Sequence, residues 1–290
     1  MEDLTPFMFK LVIFNNNAAF LVNSPIVSSN LYRSKILMKC KVVLDPHSTS
    51  LQFHHSRLID EIYTQVAKSI HGLSLAQGGK RFLVAIAGIP GSGKTTLAKA
   101  VVERLNEMDG SVCHHAMCIP MDGFHLPRAA LDQFSNQKQA YARRGAPWTF
   151  DVAGFTEYIQ SLRIWADDNS AKILYAPSFD HKQKDPVSNS IVLAPETSIV
   201  IVEGNYLLFD DPSWRDVATL FDYRLFVDAD LEVARERVAK RHVQAGIEPN
   251  IESGFRRVDE NDYLNAQAVY EKRLKADLVI CSIDETKISG

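Results

Sequence analysis

Gly88-Ile89-Pro90-Gly91-Ser92-Gly93-Lys94-Thr95-Thr96 follows the apolar run Phe82–Ala87 and precedes the helical pattern LAKAVVERL. A Gly-x-x-x-x-Gly-Lys-Thr spacing between a strand and a helix matches what polyphosphate binding requires. Its glycines let backbone N–H groups turn inward around phosphate oxygens, and Lys94 can reach the outer phosphates. Thr95 offers a hydroxyl to Mg²⁺, and the helix points its positive end at the anion. A glycine-rich turn without a ligand is the plainer alternative, and the strand and helix on either side favour the phosphate reading.

Two acids stand where a parallel sheet would bring them toward that loop. Asp122 follows the run VCHHAMCIPM and could accept the proton of a substrate hydroxyl attacking a γ-phosphoryl group. Glu203 closes TSIVIVEG and could hold Mg²⁺, directly or through water, with Thr95 and Asp122 as further oxygen donors. A turn-capping aspartate and an ordinary strand-end glutamate are the respective alternatives. Arg235, Arg237, Lys240 and Arg241 crowd one helix; Arg237 and Arg241, four apart, share a face that could neutralise triphosphate charge. A solvated basic face paired with Glu232 and Glu236 explains them equally well. The segments around Arg144 and Asp151, and around Phe179 and His181, mix charge, aromatic and turn residues, as specificity loops do. Unliganded surface loops have the same composition.

These residues need a scaffold, and the apolar patterning supplies one. Helical spacing over Arg57–Leu75, the loop-following helix, FTEYIQSLRIW, LEVARERVAKRHVQAG and about Tyr263–Lys275 alternates with runs of strand character: FLVAIAG, VCHHAMCIPMD, KILYAPSFD, TSIVIVEG, YRLFVDAD and ADLVICSI. The expected class is α/β: a three-layer arrangement with a mostly parallel sheet between helices, the arginine helix forming a small lid, and the site at the carboxyl ends of the strands. HKQKDP reads as a charged loop after KILYAPSFD.

The chain has 290 residues, 46% of them hydrophobic, and a formal net charge of -3, which gives no electrostatic footprint for nucleic acid or an anionic membrane. No apolar run is long enough to cross a bilayer. Four scattered cysteines fit a reducing compartment and no disulfide framework. Cys113, His114, His115 and Cys118 resemble a metal cluster only superficially, because a strand sends alternate side chains to opposite faces. Residues 1–50 read as an extension, disordered or targeting, ahead of a single phosphate-loop domain over 51–290, and a cytoplasmic location is the default beside an organelle-targeting alternative. Nothing in the residues argues for an oligomer.

The ordered set GIPGSGKTT, PMDGFH, RRGAPWTFD, PSFDHKQKDP, IVEGNYLL, LFVDAD and ADLVI resembles the uridine kinase, phosphoribulokinase and pantothenate kinase group of P-loop kinases. It is most similar to the branch with the yeast ATP-dependent kinase Yfh7 and bacterial fructose-transport kinases. The resemblance spans about residues 55 to 285 and implies ATP and Mg²⁺. It also implies Asp122 as base, Glu203 as metal-associated acid, Arg237 and Arg241 as lid arginines and Asp151 beside the acceptor's hydroxyls; His125, Arg144, Phe179 and His181 are the further candidates for binding a small-molecule acceptor. Asp122-Gly123-Phe124-His125 stands where uridine kinases carry Asp-Ser-Phe-Tyr, and Gly145 replaces an acid of their Asp-x-Pro-x-x-Phe-Asp motif, so the resemblance does not name the acceptor. The expectation is an ATP-dependent kinase acting on a hydroxyl of a nucleoside, sugar or vitamin-like metabolite. Its alternative is a nucleotide-hydrolysing switch or binding module.

Overall fold

A computed structural model describes residues 12–15, 18–21, 51–108 and 115–282. Its strands are β1 (Val12–Asn15), β2 (Ala18–Leu21), β3 (Phe82–Gly88), β4 (His115–Pro120), β5 (Leu174–Asp180), β6 (Asp185–Leu193), β7 (Thr197–Gly204), β8 (Tyr223–Asp228) and β9 (Leu278–Cys281). The helices are α1 (Leu51–Ala76), α2 (Lys94–Glu107), α3 (Arg128–Leu131), α4 (Gln137–Ala142), α5 (Val152–Asp167), α6 (Leu231–Gln244), α7 (Ile251–Glu260) and α8 (Asp262–Glu271). Short 3₁₀ turns lie at Met121–Phe124, Pro147–Thr149 and Arg215–Leu220.

The main sheet has the order β2-β1-β9-β8-β3-β7-β4, with β3, β4, β7, β8 and β9 parallel and β1 joining the β9 edge antiparallel. β3 is buried along its whole length because it lies between helices on both faces, which is why it reads as an unbroken apolar run. Its alternate residues divide the core. Leu83, Ala85 and Ala87 pack with Val200, Val202 and Phe226 against Phe155, Ile159 and Leu162 of α5. Phe82, Val84 and Ile86 pack with Ile199, Ile201 and Leu225 against α1 and α2. This period of two is the pleat expressed as layers.

Several features depart from the sequence expectation, among them β1 and β2 within the stretch read as an extension and the short helices α3 and α4. Leu174–Asp180 is a strand, but it lies outside the parallel sheet and pairs antiparallel with β6, which the sequence reading did not assign; the charged loop shrinks to residues 181–184. Exposed Tyr175 faces exposed Val192 across this hairpin, so neither strand shows the continuous burial of a sheet interior. α7 was also not foreseen, because Gly254 and five charged residues mask its apolar stripe; Asn250 caps it by accepting from the Ser253 N–H at 2.9 Å. The last helix ends at Glu271 rather than near Lys275. Cys113 and His114 lie outside the described residues, and burial pushes the Cys118 thiol up to about 12, which suits a core thiol. Among the described residues there is no cluster of three or more His, Cys, Asp or Glu able to hold a metal by itself, and no helix long and apolar enough to cross a membrane.

Candidate active site

The phosphate loop connects β3 to α2. Gly88, Ile89, Pro90 and Ser92 are buried, whereas Gly93, Thr95 and Thr96 are exposed and Lys94 is intermediate. The first turn of α2 receives no side-chain cap from Gly93, so its N–H groups are left to an outside acceptor. Gly91 has φ +81°, and a Cβ there would stand 2.5 Å from the Ala234 carbonyl of α6. Only glycine lets the loop apex lie this close to the arginine helix in that backbone conformation.

β3 and β7 run side by side with Ile86 opposite Glu203, and β4 flanks β7 with Pro120 opposite the same residue. Parallel register therefore delivers Glu203 between the end of β3, which enters the loop, and the end of β4, which enters the Asp122 turn. The Thr95 hydroxyl donates to Glu203 Oε1 at 3.1 Å. This pair of oxygen donors beside Lys94 fits a hard cation whose remaining ligands are water and phosphate oxygens. Burial pushes the Glu203 carboxyl above its ordinary 4.5; Lys94 opposes the rise, Asp122 adds to it and the Thr95 hydroxyl bond opposes it.

That shift has a consequence for stability. The folded state holds the Glu203 proton more tightly than the unfolded chain, so the resulting stabilisation is full below pH 4.5 and is lost as pH rises through the folded-state pKa. Glu203→Gln keeps the acceptor for Thr95 and removes this loss. The nucleotide-free variant is expected to melt higher than the parent at pH 7, with a flatter pH dependence. If Glu203 holds Mg²⁺, nucleotide binding by the variant should depend less on Mg²⁺ than binding by the parent. Thermal melts from pH 4 to 8 and nucleotide titrations with and without Mg²⁺ check both outcomes.

Asp122 sits half-exposed in the 3₁₀ turn after β4. A Cβ on Gly123 would stand 2.3 Å from the Pro177 carbonyl of β5, so the turn is pressed onto the hairpin where only glycine fits. The Asp122 carbonyl meets the His125 backbone N–H at 3.1 Å and its ring Nδ1 at 2.8 Å. Burial holds the His125 pKa down, opposed by Asp122 and reinforced by Arg144 and His181. A neutral imidazole then donates from Nδ1 to that carbonyl and keeps Nε2 as an acceptor.

The turn is stitched to the next segment by Asp151 N–H to the Phe124 carbonyl at 2.8 Å and by Leu126 N–H to the Thr149 carbonyl at 2.9 Å. The His125 ring lies 4.0 Å from Phe150 and 4.9 Å from Phe179, and Phe179 lies 5.3 Å from His181. The Arg144 guanidinium stands 5.5 Å from the Phe179 ring and donates to the Leu126 carbonyl at 2.9 Å and to Asp185 at 3.3 Å. The expected acceptor-side residues are thus assembled around one aromatic cluster. Asp151 is exposed at its edge, where one carboxylate oxygen caps α5 by accepting from the Gly154 N–H at 3.0 Å.

Of the basic residues on α6, Arg235 is tied to Asp259 at 2.7 Å and Lys240 to Glu236 at 2.7 Å. Arg237 turns to the loop: it donates to the Ser282 hydroxyl at 2.8 Å and reaches the Gly91 carbonyl at 3.4 Å. Arg241 is exposed one turn further, and its charge is felt at Asp262 and His242. Ser282 was missed by sequence reasoning. Its place just beyond a strand of the parallel sheet is the one signal that could have marked it.

A parallel sheet with a phosphate loop leaving its central strand, two acids at neighbouring strand ends and an arginine helix against the loop defines a P-loop kinase. The chain belongs to the phosphoribulokinase / uridine kinase family, whose pattern matches residues 83–288. A Schizosaccharomyces pombe protein provisionally named uridine kinase C227.14 is 38% identical over 221 residues, covering 76% of this chain and 89% of that one. A solved Silicibacter protein, provisionally described as a fructose transport system kinase, aligns with TM-score 0.63 and 30% identity over 75% of this chain and 98% of its own. The Saccharomyces cerevisiae YFH7 structure shares the fold at TM-score 0.64 and 23% identity, over 76% of this chain and 98% of that one. Family membership makes the protein an ATP-dependent kinase, a phosphotransferase.

Proposed function

We propose that the protein transfers the γ-phosphoryl group of ATP to a hydroxyl of a small metabolite in a Mg²⁺-dependent reaction. The observation that carries this reading is the placement of Glu203, which accepts from the Thr95 hydroxyl and lies within electrostatic reach of both Lys94 and Asp122. Lys94 and the backbone N–H groups at Gly91 and at residues 93–96 bind the β- and γ-phosphates. Thr95 and Glu203, with Asp122 nearby, would hold Mg²⁺, which when bound neutralises phosphate charge. Asp122 accepts the hydroxyl proton. Phosphoryl transfer asks mainly for positioning and charge neutralisation, so a single acid beside the acceptor is the part a kinase needs beyond ATP binding. Arg237 sits close enough to the loop to stabilise the charge that spreads over the transferring group, with Arg241 behind it.

His125, Arg144, Phe150, Phe179 and His181 form the acceptor side, with Asp151 at its edge. The aromatic rings favour an acceptor with a flat or apolar part, and the neutral His125 and paired Arg144 fix its polar groups. The test is a metabolite pool incubated with protein, Mg²⁺ and γ-labelled ATP. One labelled, alkali-stable phosphate monoester is expected; label released only as inorganic phosphate would overturn the reading in favour of a hydrolysing switch.

A further inference from the structure

Arg143-Arg144-Gly145 is held in place by residues that none of the roles above uses. α7 and α8 meet at Asn261, whose backbone leaves the helical region and so ends one helix and begins the next. Its Nδ2 donates to the Arg144 carbonyl at 2.8 Å, and its Oδ1 accepts from Asn265 Nδ2 at 3.4 Å. Asn265 Oδ1 accepts from the Arg143 guanidinium at 3.0 Å, and the same guanidinium donates to the Glu260 carbonyl at 3.1 Å. Both asparagines are buried, at 7% and 2% exposure. Amides withdrawn from water are costly unless paired, and here the pairing is directed at this single segment. The Tyr206 hydroxyl fixes it from the sheet side by donating to the Gly145 carbonyl at 2.7 Å.

The other side of the same corner is fastened to α6. Arg235 bonds Asp259 and stacks 4.4 Å over Phe255. Val238 and Ala239 pack on Val258 with Ile251 and Tyr263 around them. His242 Nε2 lies 3.8 Å from Asp262 Oδ2. α6 is the helix whose Arg237 reaches the Gly91 carbonyl. Packed side chains and hydrogen bonds therefore run without a break from the phosphate loop, through α6 and the α7–α8 corner, to the Arg144 carbonyl.

We propose that Asn261 and Asn265 are positioning residues that pass the placement of the arginine helix on to residues 143–149, so that nucleotide held under Arg237 also orders the acceptor side. The identity of that side rests on the kinase reading, whereas the coupling requires nucleotide binding alone. A hydrogen-bonded corner suits this role because its directional bonds admit one arrangement where an apolar contact would slide.

Amide hydrogen exchange on the full chain tests it, with and without Mg²⁺ and a non-hydrolysable ATP analogue. The amides of Ala146 and Thr149 bond to the Arg143 and Ala146 carbonyls within the segment, so their exchange reports its opening. In the parent, saturating analogue is expected to slow exchange at 143–149 by about tenfold or more as it protects residues 88–93, the size of a coupling of ~1.4 kcal/mol. Asn265→Ala should keep the protection at 88–93 and lose the slowing at 143–149. Arg143→Ala, which cuts the network from its more exposed end, should do the same and stands in if Asn265→Ala does not fold. A purely structural role predicts faster exchange at 143–149 with the analogue-induced slowing intact, and that result overturns the proposal. So does a parent whose loop is protected while 143–149 does not respond. A metabolite screen that labels no acceptor would remove the kinase reading and leave this readout unchanged.

Discussion

Asp122→Asn is expected to lower phosphoryl transfer about 10³-fold, within the 10²–10⁴ range that a positioned general base contributes, while Mg-ATP affinity stays within about twofold. The split follows from where the residue stands. The bonds that shape its turn come from its backbone carbonyl, which receives the His125 N–H and ring Nδ1, so an isosteric amide leaves the turn in place. What disappears is the proposed proton acceptor. The same substitution removes a negative charge that raises the Glu203 pKa, so Glu203 gives up its proton more readily while one carboxylate's attraction for a nearby cation is lost; the two effects oppose each other, in keeping with a small change in Mg-ATP affinity. A variant that had only been damaged would lose binding and transfer together. Calorimetric Mg-ATP titration beside labelled transfer to the metabolite pool separates the cases, and transfer above about a tenth of the parental rate would remove Asp122 from the role of base.

The placement of the candidate site's central part was legible in the sequence because its residue types follow from the proposed chemistry. A loop that wraps phosphate needs glycines and a lysine, and acids that face it must follow buried strands; Gly88–Thr96, Asp122 and Glu203 announce themselves in that way. The layers were legible for the same reason, since β3 and β7 are continuous apolar runs that must lie inside a sheet. What stayed hidden depends on contacts between distant segments. Asn261 and Asn265 are polar residues at helical spacing, and nothing local says that they are buried against Arg143 and the Arg144 carbonyl, more than a hundred residues earlier. β6 escaped because an exposed hairpin strand has no buried face to impose alternation: Val187 to Ser190 are all exposed. On α6 the four cations look alike in sequence. Only the structure shows that Arg235 and Lys240 are paired with acids while Arg237 faces the loop.

Arg81→Met is expected to destabilise the protein by ~3–5 kcal/mol, because four carbonyls lose a charged donor at ~1–3 kcal/mol each, partly offset by relief of the guanidinium's burial cost. This corresponds to a fall in melting temperature of roughly 6–20 °C. Arg81 is 3% exposed and immediately precedes β3. Its guanidinium stacks 3.7 Å above the Trp165 ring and donates to the carbonyls of Thr197 at 3.0 Å, Trp165 at 2.9 Å, Ser170 at 2.7 Å and Pro195 at 2.7 Å. These carbonyls belong to the end of α5, the turn after it and the approach to β7, segments that share no strand ladder at that end of the sheet. Methionine keeps much of the contact with the indole and none of the donors, so several carbonyls lose their partner at once; lysine restores a charge but not the planar fork that serves diverging acceptors. The loss should appear as a lower urea midpoint with an unchanged slope, since the folded state is no less compact. Mg-ATP affinity of the folded fraction should not change, because the six residue pairs of β3 and β7 hold the loop and Glu203 together at the opposite end. A loss below ~1 kcal/mol would mean that water replaces the guanidinium in satisfying these carbonyls, and the joint would then be no stronger than an ordinary solvated turn.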